Sequence, residues 1–224
     1  MLPSIQFLQA KAYRRGRLHP VGHPQAGQPC GIDLVVIHSA EIGESLEGAE
    51  ALMRVCAKGR VFPPGHPKAG QPSPASWHYS ADADSICQSV LEGDTAFHAP
   101  GASHRAIGIE LSGRARQTAD EWDDDFSTRM LDHVAQLVAA ICRRWTLPIA
   151  FVDAEGLRRG DRGITTHAAV SKAWGKSSHW DPGEHFPMER FVEMVLFYYD
   201  VQGQQLDTLP PDTDPSPPPS ERAT

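Results

Sequence analysis

The chain has 224 residues, 40% hydrophobic and 22% charged, the composition of an ordinary globular protein long enough to bury one substantial core. A formal net charge of −7 argues against nucleic acid as a partner, because nucleic-acid binders carry basic patches. No apolar run approaches the ~20 residues needed to span a bilayer, so no membrane insertion is expected.

Residues 1–32 are irregular and rich in Gly, Pro and His, which predicts an extended arm packed on the domain. The arm contains GHPQAGQP (22–29), which recurs as GHPKAGQP at 65–72. Two copies do not make a solenoid. Each reads as a turn-dense loop, either a duplicated shape without chemistry or a paired rim around a groove. The run 34–37 (LVVI) is unbroken and apolar, as in a buried strand. Leu46, Ala49, Leu52, Met53 and Cys56 recur at helical spacing over 46–58. Residues 77–82 and 85–91 read as a strand pair around the turn Asp82-Ala83-Asp84. Residues 105–112 form a further strand, ended by Gly113.

Thr118-Ala119-Asp120-Glu121 has the pattern of a capping box. Met130, Leu131, Val134, Leu137, Val138, Ile141 and Trp145 then trace an amphipathic helix that ends before Pro148. Residues 163–167 form a short β-prone segment followed by a loop, and 186–199 read as a final helix. From 207 onward Pro, Ser, Thr and Asp dominate, which predicts a disordered tail. Strands alternating with helices predict one α/β domain over 33–206. Cys30, Cys56, Cys87 and Cys142 show no CxxC pairing and are expected to be reduced, with no metal role.

The chemistry concentrates in three places. His38 ends the first apolar strand, His167 closes 163–167, and Asp181 lies in the turn Asp181-Pro182-Gly183. Two histidines and one carboxylate from strand ends and a turn make a three-ligand zinc site with an open fourth position, the arrangement that activates water. In 106–111 (AIGIEL), alternation puts Gly108 and Glu110 on one face and Ile107, Ile109 and Leu111 on the other. Glu110 is then either a solvated carboxylate on an edge strand or a general base.

VIHS at 36–39, SWHY at 76–79, AFHA at 96–99, AIGIEL at 106–111 and HWDPG at 179–183 occur in that order. Together they resemble the zinc-dependent N-acetylmuramoyl-L-alanine amidase family, which includes phage endolysins, bacterial cell-wall amidases and animal peptidoglycan recognition proteins. The resemblance spans about 33–186. It implies a mixed central sheet flanked by helices, one Zn²⁺ on His38, His167 and Asp181, and Glu110 as the catalytic base. It also places at His179 a Lys or His that stabilises the oxyanion, with His179 as third ligand in place of Asp181 the rival reading. Trp77 stands where some phage members carry a catalytic tyrosine, and is expected to stack on a sugar or line the groove. His78 and His98 match positions near the pocket, for substrate contact, for a role in the core, or for orienting a ligand.

The implied substrate is peptidoglycan or a muropeptide, and a monomer is expected. The N-terminus lacks the apolar core and cleavage site of a secretory signal, so cytoplasmic synthesis is expected, with a holin-type pore giving access to the wall. A phage-type endolysin is the leading setting. A cytosolic recycling amidase for anhydro-muropeptides and a non-catalytic binding module are the alternatives. Non-catalytic relatives typically lose a metal ligand, and this sequence keeps all three.

Overall fold

The computed structural model describes residues 3–207 apart from 63 and 66, so the tail expected from 207 lies, beyond Asp207, outside the described residues. The strands in chain order are β1 (Ile5–Phe7), β2 (Leu34–Ser39), β3 (Arg60–Val61), β4 (Pro72–Ser73), β5 (Tyr79–Ala81), β6 (Ile86–Gln88), β7 (Ala106–Leu111) and β8 (Gly163–Thr166). β3 and β4 form a small separate hairpin; the others build one mixed sheet in the order β1-β6-β5-β7-β2-β8. Within that sheet only the β5–β6 pair is antiparallel. β7 lies between β5 and β2, so Glu110 is not on an edge strand.

The helices are α1 (Gly48–Lys58), α2 (Ala119–Trp122), α3 (Asp125–Trp145), α4 (Ala154–Arg159), α5 (His167–Trp174) and α6 (Met188–Asp207). Strand alternation decides what each face covers. Val35 and Ile37 of β2, with Ile107, Ile109 and Leu111 of β7, meet Met130, Leu131, Val134, Val138 and Ile141 of α3 and Phe191 and Val195 of α6. Each such side chain contributes ~1.5–3 kcal/mol when fully buried, so this face outweighs any propensity in holding α3. On the opposite face Leu34 and Val36 pack on α4 and α5, and Leu52 and Cys56 of α1 pack on Trp77.

The capping box forms as read, with Thr118 Oγ1 accepting from Glu121 N–H, but it opens only the one-turn α2. α3 starts afresh at Asp124, whose carboxylate accepts from Ser127 N–H, and ends with Thr146 in the left-handed region. The strands about the Asp82 turn shrink to three residues each. The loop expected after residue 167 is α5. Thr166 caps it by accepting from Ala169 N–H, and Gly175 closes it at φ +60°. The arm contributes β1 at the sheet edge beside β6. It also buries Arg17, whose guanidinium donates to the carbonyls of Glu92 and Ala106. The four cysteines are free, three of them buried.

Candidate metal centre and its cavity

Parallel strands deliver their C-terminal ends to one rim of the sheet, the common location of ligand sites in such folds. β2 and β7 set His38 opposite Glu110 in register, and β8 runs directly into α5 at His167. The third group arrives by turn. Asp181 O accepts from Ala168 N–H in the first turn of α5, which ties the 181–183 turn to the helix that carries His167. Gly183 is required there: a Cβ would fall 1.8 Å from Ala115 O, and φ is +103°.

The three side chains converge. His38 Nδ1 lies 3.1 Å from His167 Nδ1 and 3.1 Å from Asp181 Oδ2, and His167 Nδ1 lies 3.2 Å from Asp181 Oδ1. Ring protons follow from the outer partners. His98 Nε2 faces only the carbonyl of Ala106 (3.5 Å) and therefore donates to it. His98 Nδ1 is left to accept from His38 Nε2 at 2.9 Å, which leaves His38 Nδ1 a bare lone pair. His167 Nε2 faces Ser177 Oγ at 3.4 Å, away from the cluster. Two imidazole lone pairs and a carboxylate meeting at one point repel unless a cation sits among them. Their spacing is close to the edge, about 3.3 Å, of a tetrahedron with bonds of about 2.0 Å, so the donor set fits zinc. Burial opposes the charge on Asp181, but its close contacts with His167, His179 and His38 outweigh it and hold the carboxyl well below its usual range. Burial likewise lowers His38, and Asp181 and Glu110 reverse that and raise it.

These residues open onto a cavity of about 370 Å³ lined also by Arg60, Trp77, His98, Glu110 and His179. Glu110 is half-buried on its floor with no hydrogen-bond partner among the described residues, so its carboxylate is free to accept a proton. Burial pushes Glu110 up, with Asp181 adding and His38 and Arg60 opposing. That is the direction a base working near neutrality needs. His179 is mostly exposed and stacks on His167 (centroids 4.2 Å apart, planes within 13°), with Nδ1 3.3 Å from Asp181 Oδ1. It stands at the mouth, and the converging group is His38, His167 and Asp181, not His179.

The structure decides between the roles expected of two residues. His78 is fully buried and lines neither cavity; Nδ1 accepts from Gly108 N–H (3.0 Å) and Nε2 faces Arg17 and Asp94 O. It braces β7 rather than meeting a ligand. Trp77 is 3% exposed and wedged against Leu52 and Cys56, so it forms a wall of the cavity and offers no face for stacking. His98 does reach the cavity, but its ring nitrogens are taken by His38 and Ala106. Sequence reasoning missed Arg60, which sits by Glu110 after Gly59, because no periodicity marks a cation in a two-residue strand.

A model of the family described as N-acetylmuramoyl-L-alanine amidase matches residues 26–184. The chain belongs to that family. It is 29% identical over 116 residues to N-acetylmuramoyl-L-alanine amidase A of Achromobacter lyticus, covering 49% of this chain and 61% of that protein, less than two thirds of its length. Among solved structures, the Staphylococcus aureus hydrolase AmiA, in complex with its ligand, superposes with a TM-score of 0.65 at 16% identity, over 92% of this chain and 87% of that one. An AmpD derivative matches with a TM-score of 0.54 at 20% identity, over 87% and 99%. These likenesses establish the mixed α/β amidase fold.

Proposed function

We propose that the protein hydrolyses the amide between the lactyl group of N-acetylmuramic acid and L-alanine in peptidoglycan, using one zinc ion held by His38, His167 and Asp181. The observation that carries this reading is the convergence of those three groups beside an unpartnered Glu110 in one cavity of an amidase-family chain. Zinc bound there supplies a Lewis acid that polarises the carbonyl and lowers the pKa of water. Glu110 takes the proton from the attacking water as its oxygen adds to the lactyl carbonyl carbon. His179, exposed at the mouth, donates to the oxyanion or protonates the leaving nitrogen. His98 holds the His38 ring in the tautomer that presents Nδ1. When the C–N bond breaks, the products are a lactyl carboxylate and a free L-alanine amine.

The setting we propose is a monomeric phage-type endolysin made in the cytoplasm and released to the wall through a holin-type pore. The support is that the cavity over the buried metal ligands opens to the surface, with His179 exposed at its mouth, so a polymeric substrate can reach it. Among the described residues no helix is long and apolar enough to cross a membrane. Mass spectrometry of digests tests both points. Intact sacculi should yield peptides beginning with a free L-alanine amine. Cleavage of soluble anhydro-muropeptides with sacculi left whole would assign the recycling role instead, and no release from either would sink the activity.

A further inference from the structure

The charge of the chain is divided along its length. Residues 1–32 and 51–81 each hold four Lys or Arg and no Asp or Glu, so together they carry +8. The other residues hold the remaining 13 of the 21 basic side chains and all 28 acidic ones, and carry −15. Both copies of the repeat lie inside the acid-free segments, and the fold brings those segments together. Lys11 N–H donates to Cys56 O, and the Lys11 stem crosses Gly59, where a Cβ would fall 2.7 Å from its Cδ.

This positive charge is not neutralised within the fold. Among the described residues Lys or Arg enters five ion pairs, on Arg105, Arg144, Arg159, Arg162 and Arg190, all outside the two segments. Lys11, Arg15, Arg54 and Lys58 are exposed and make no ion pair among the described residues. Arg54 and Lys58 stand one turn apart on the exposed side of α1, Lys11 crosses the end of that helix, and Arg15 follows four residues along the arm. A cavity of about 500 Å³ shares His98, His167 and His179 with the metal cavity, so the two form one groove. None of the four cations lines either cavity, so the strip borders the groove from outside.

Screening over about 8 Å at physiological salt makes the local charge, not the net −7, decide what docks on such a strip. Acids stand on its borders: Glu47 and Glu50 begin α1, and Asp94 accepts from Gly16 N–H beside Arg15. A cationic strip between acidic borders accepts a line of negative charge and repels a plane of it. That favours a linear polyanion over an anionic bilayer. Phosphodiester repeats suit it, because each keeps one negative charge at any pH at which the protein folds and takes hydrogen bonds from Lys and Arg alike.

We propose that Lys11, Arg15, Arg54 and Lys58 form a docking strip for a linear polyphosphodiester of the cell wall, held outside the groove while the groove acts on the peptide-bearing glycan. The placement of that polymer in the wall rests on the proposed function; the binding itself does not.

The experiment is titration of end-labelled poly(glycerol phosphate) with the full chain, followed by fluorescence anisotropy. The wild type should bind, and raising the salt from about 0.05 to about 0.3 M should weaken binding roughly tenfold. Arg54→Gln with Lys58→Gln should weaken it about tenfold, as loss of two ligand-facing charges does. Arg129→Gln with Lys172→Gln, the same change of charge on exposed helix positions elsewhere, should alter it less than about twofold. Equal affinity in the two double variants would overturn the strip, and so would a wild type that does not bind. Tighter binding to phosphatidylglycerol vesicles, to duplex DNA or to poly-L-glutamate would overturn the partner, putting a bilayer, a nucleic acid or a carboxylate polymer in its place. Charge-dependent polymer binding by a protein that cleaves neither sacculi nor muropeptides leaves the strip standing and removes the proposed function. Cleavage with charge-independent polymer binding does the reverse.

Discussion

A carboxylate in a cavity with no hydrogen-bond donor among the described residues is held in place by packing and register, as Glu110 is beside His38. Replacing it by Gln keeps the shape and removes the base. Glu110→Gln should lower turnover by roughly 10²–10⁴ while metal content is unchanged, as steady-state rates and elemental analysis on the same sample will record. Wild-type rates would remove Glu110 from the mechanism. The glycine two residues before it matters for a different reason. A Cβ at position 108 would fall 2.5 Å from Cγ and Nδ1 of His98, and the ring cannot retreat without releasing His38. Gly108→Ala should therefore weaken metal affinity roughly 10–100-fold, the usual effect of disturbing a ligand's hydrogen-bond partner. Chelator competition measures it, and an unchanged affinity would show that His98 does not position His38. The need for glycine in AIGIEL is written in no periodicity, because it arises from a ring arriving from residue 98.

Elements with long, regular patterns were readable from sequence: the apolar run of β2, and α3, whose expected apolar residues from Met130 to Ile141 are all buried while Trp145 is only partly so. α5 was not, although its cap Thr166 and its closing Gly175 are both present, because eight residues give two turns of a mostly small-residue pattern. The roles of His78 and His98 could not be separated either. Strands of three residues fix no alternation, and only the buried arm, through Arg17, reveals which histidine is internal. That arm has a consequence for pH. Burial, with Arg17 adding, pulls His78 down to about 3, so below pH ~6.5 the unfolded chain takes up a proton that the folded chain refuses, and stability falls as pH drops. Burial pushes Asp82 up to about 6, which acts oppositely between about pH 6 and 4. From pH 6.5 to 5, His78 accounts for a loss on the order of 2 kcal/mol and Asp82 returns about 1. His98, well below its ordinary range by burial, adds to the loss. Melting curves in chelator, which removes metal affinity from the balance, should show the midpoint falling by several degrees over that interval. A flat or rising midpoint would mean that the burial of His78 and His98 does not outweigh the raised groups Asp82, His38 and Glu110.

At the scale of the whole molecule, the sheet places one face on α3 and α6 and gives the other to α1, α4, α5 and the site. The arm and the 60–73 hairpin complete that second face, and they wall the part of the groove beyond the metal. The division explains why a mixed sheet and a site were both predictable from motifs in order along the chain, while the shape of the groove was not: its walls come from the turn-rich segments, where sequence pattern specifies local conformation and not contact. The proposed chemistry requires that His38, His167 and Asp181 hold one zinc and that His179 does not. Zinc content per chain, measured by elemental analysis of protein purified without added metal, tests it directly. About one equivalent is predicted for the wild type and for His179→Ala, with loss in His38→Ala, His167→Ala and Asp181→Ala. Retention of zinc by Asp181→Ala together with its loss from His179→Ala would contradict the account.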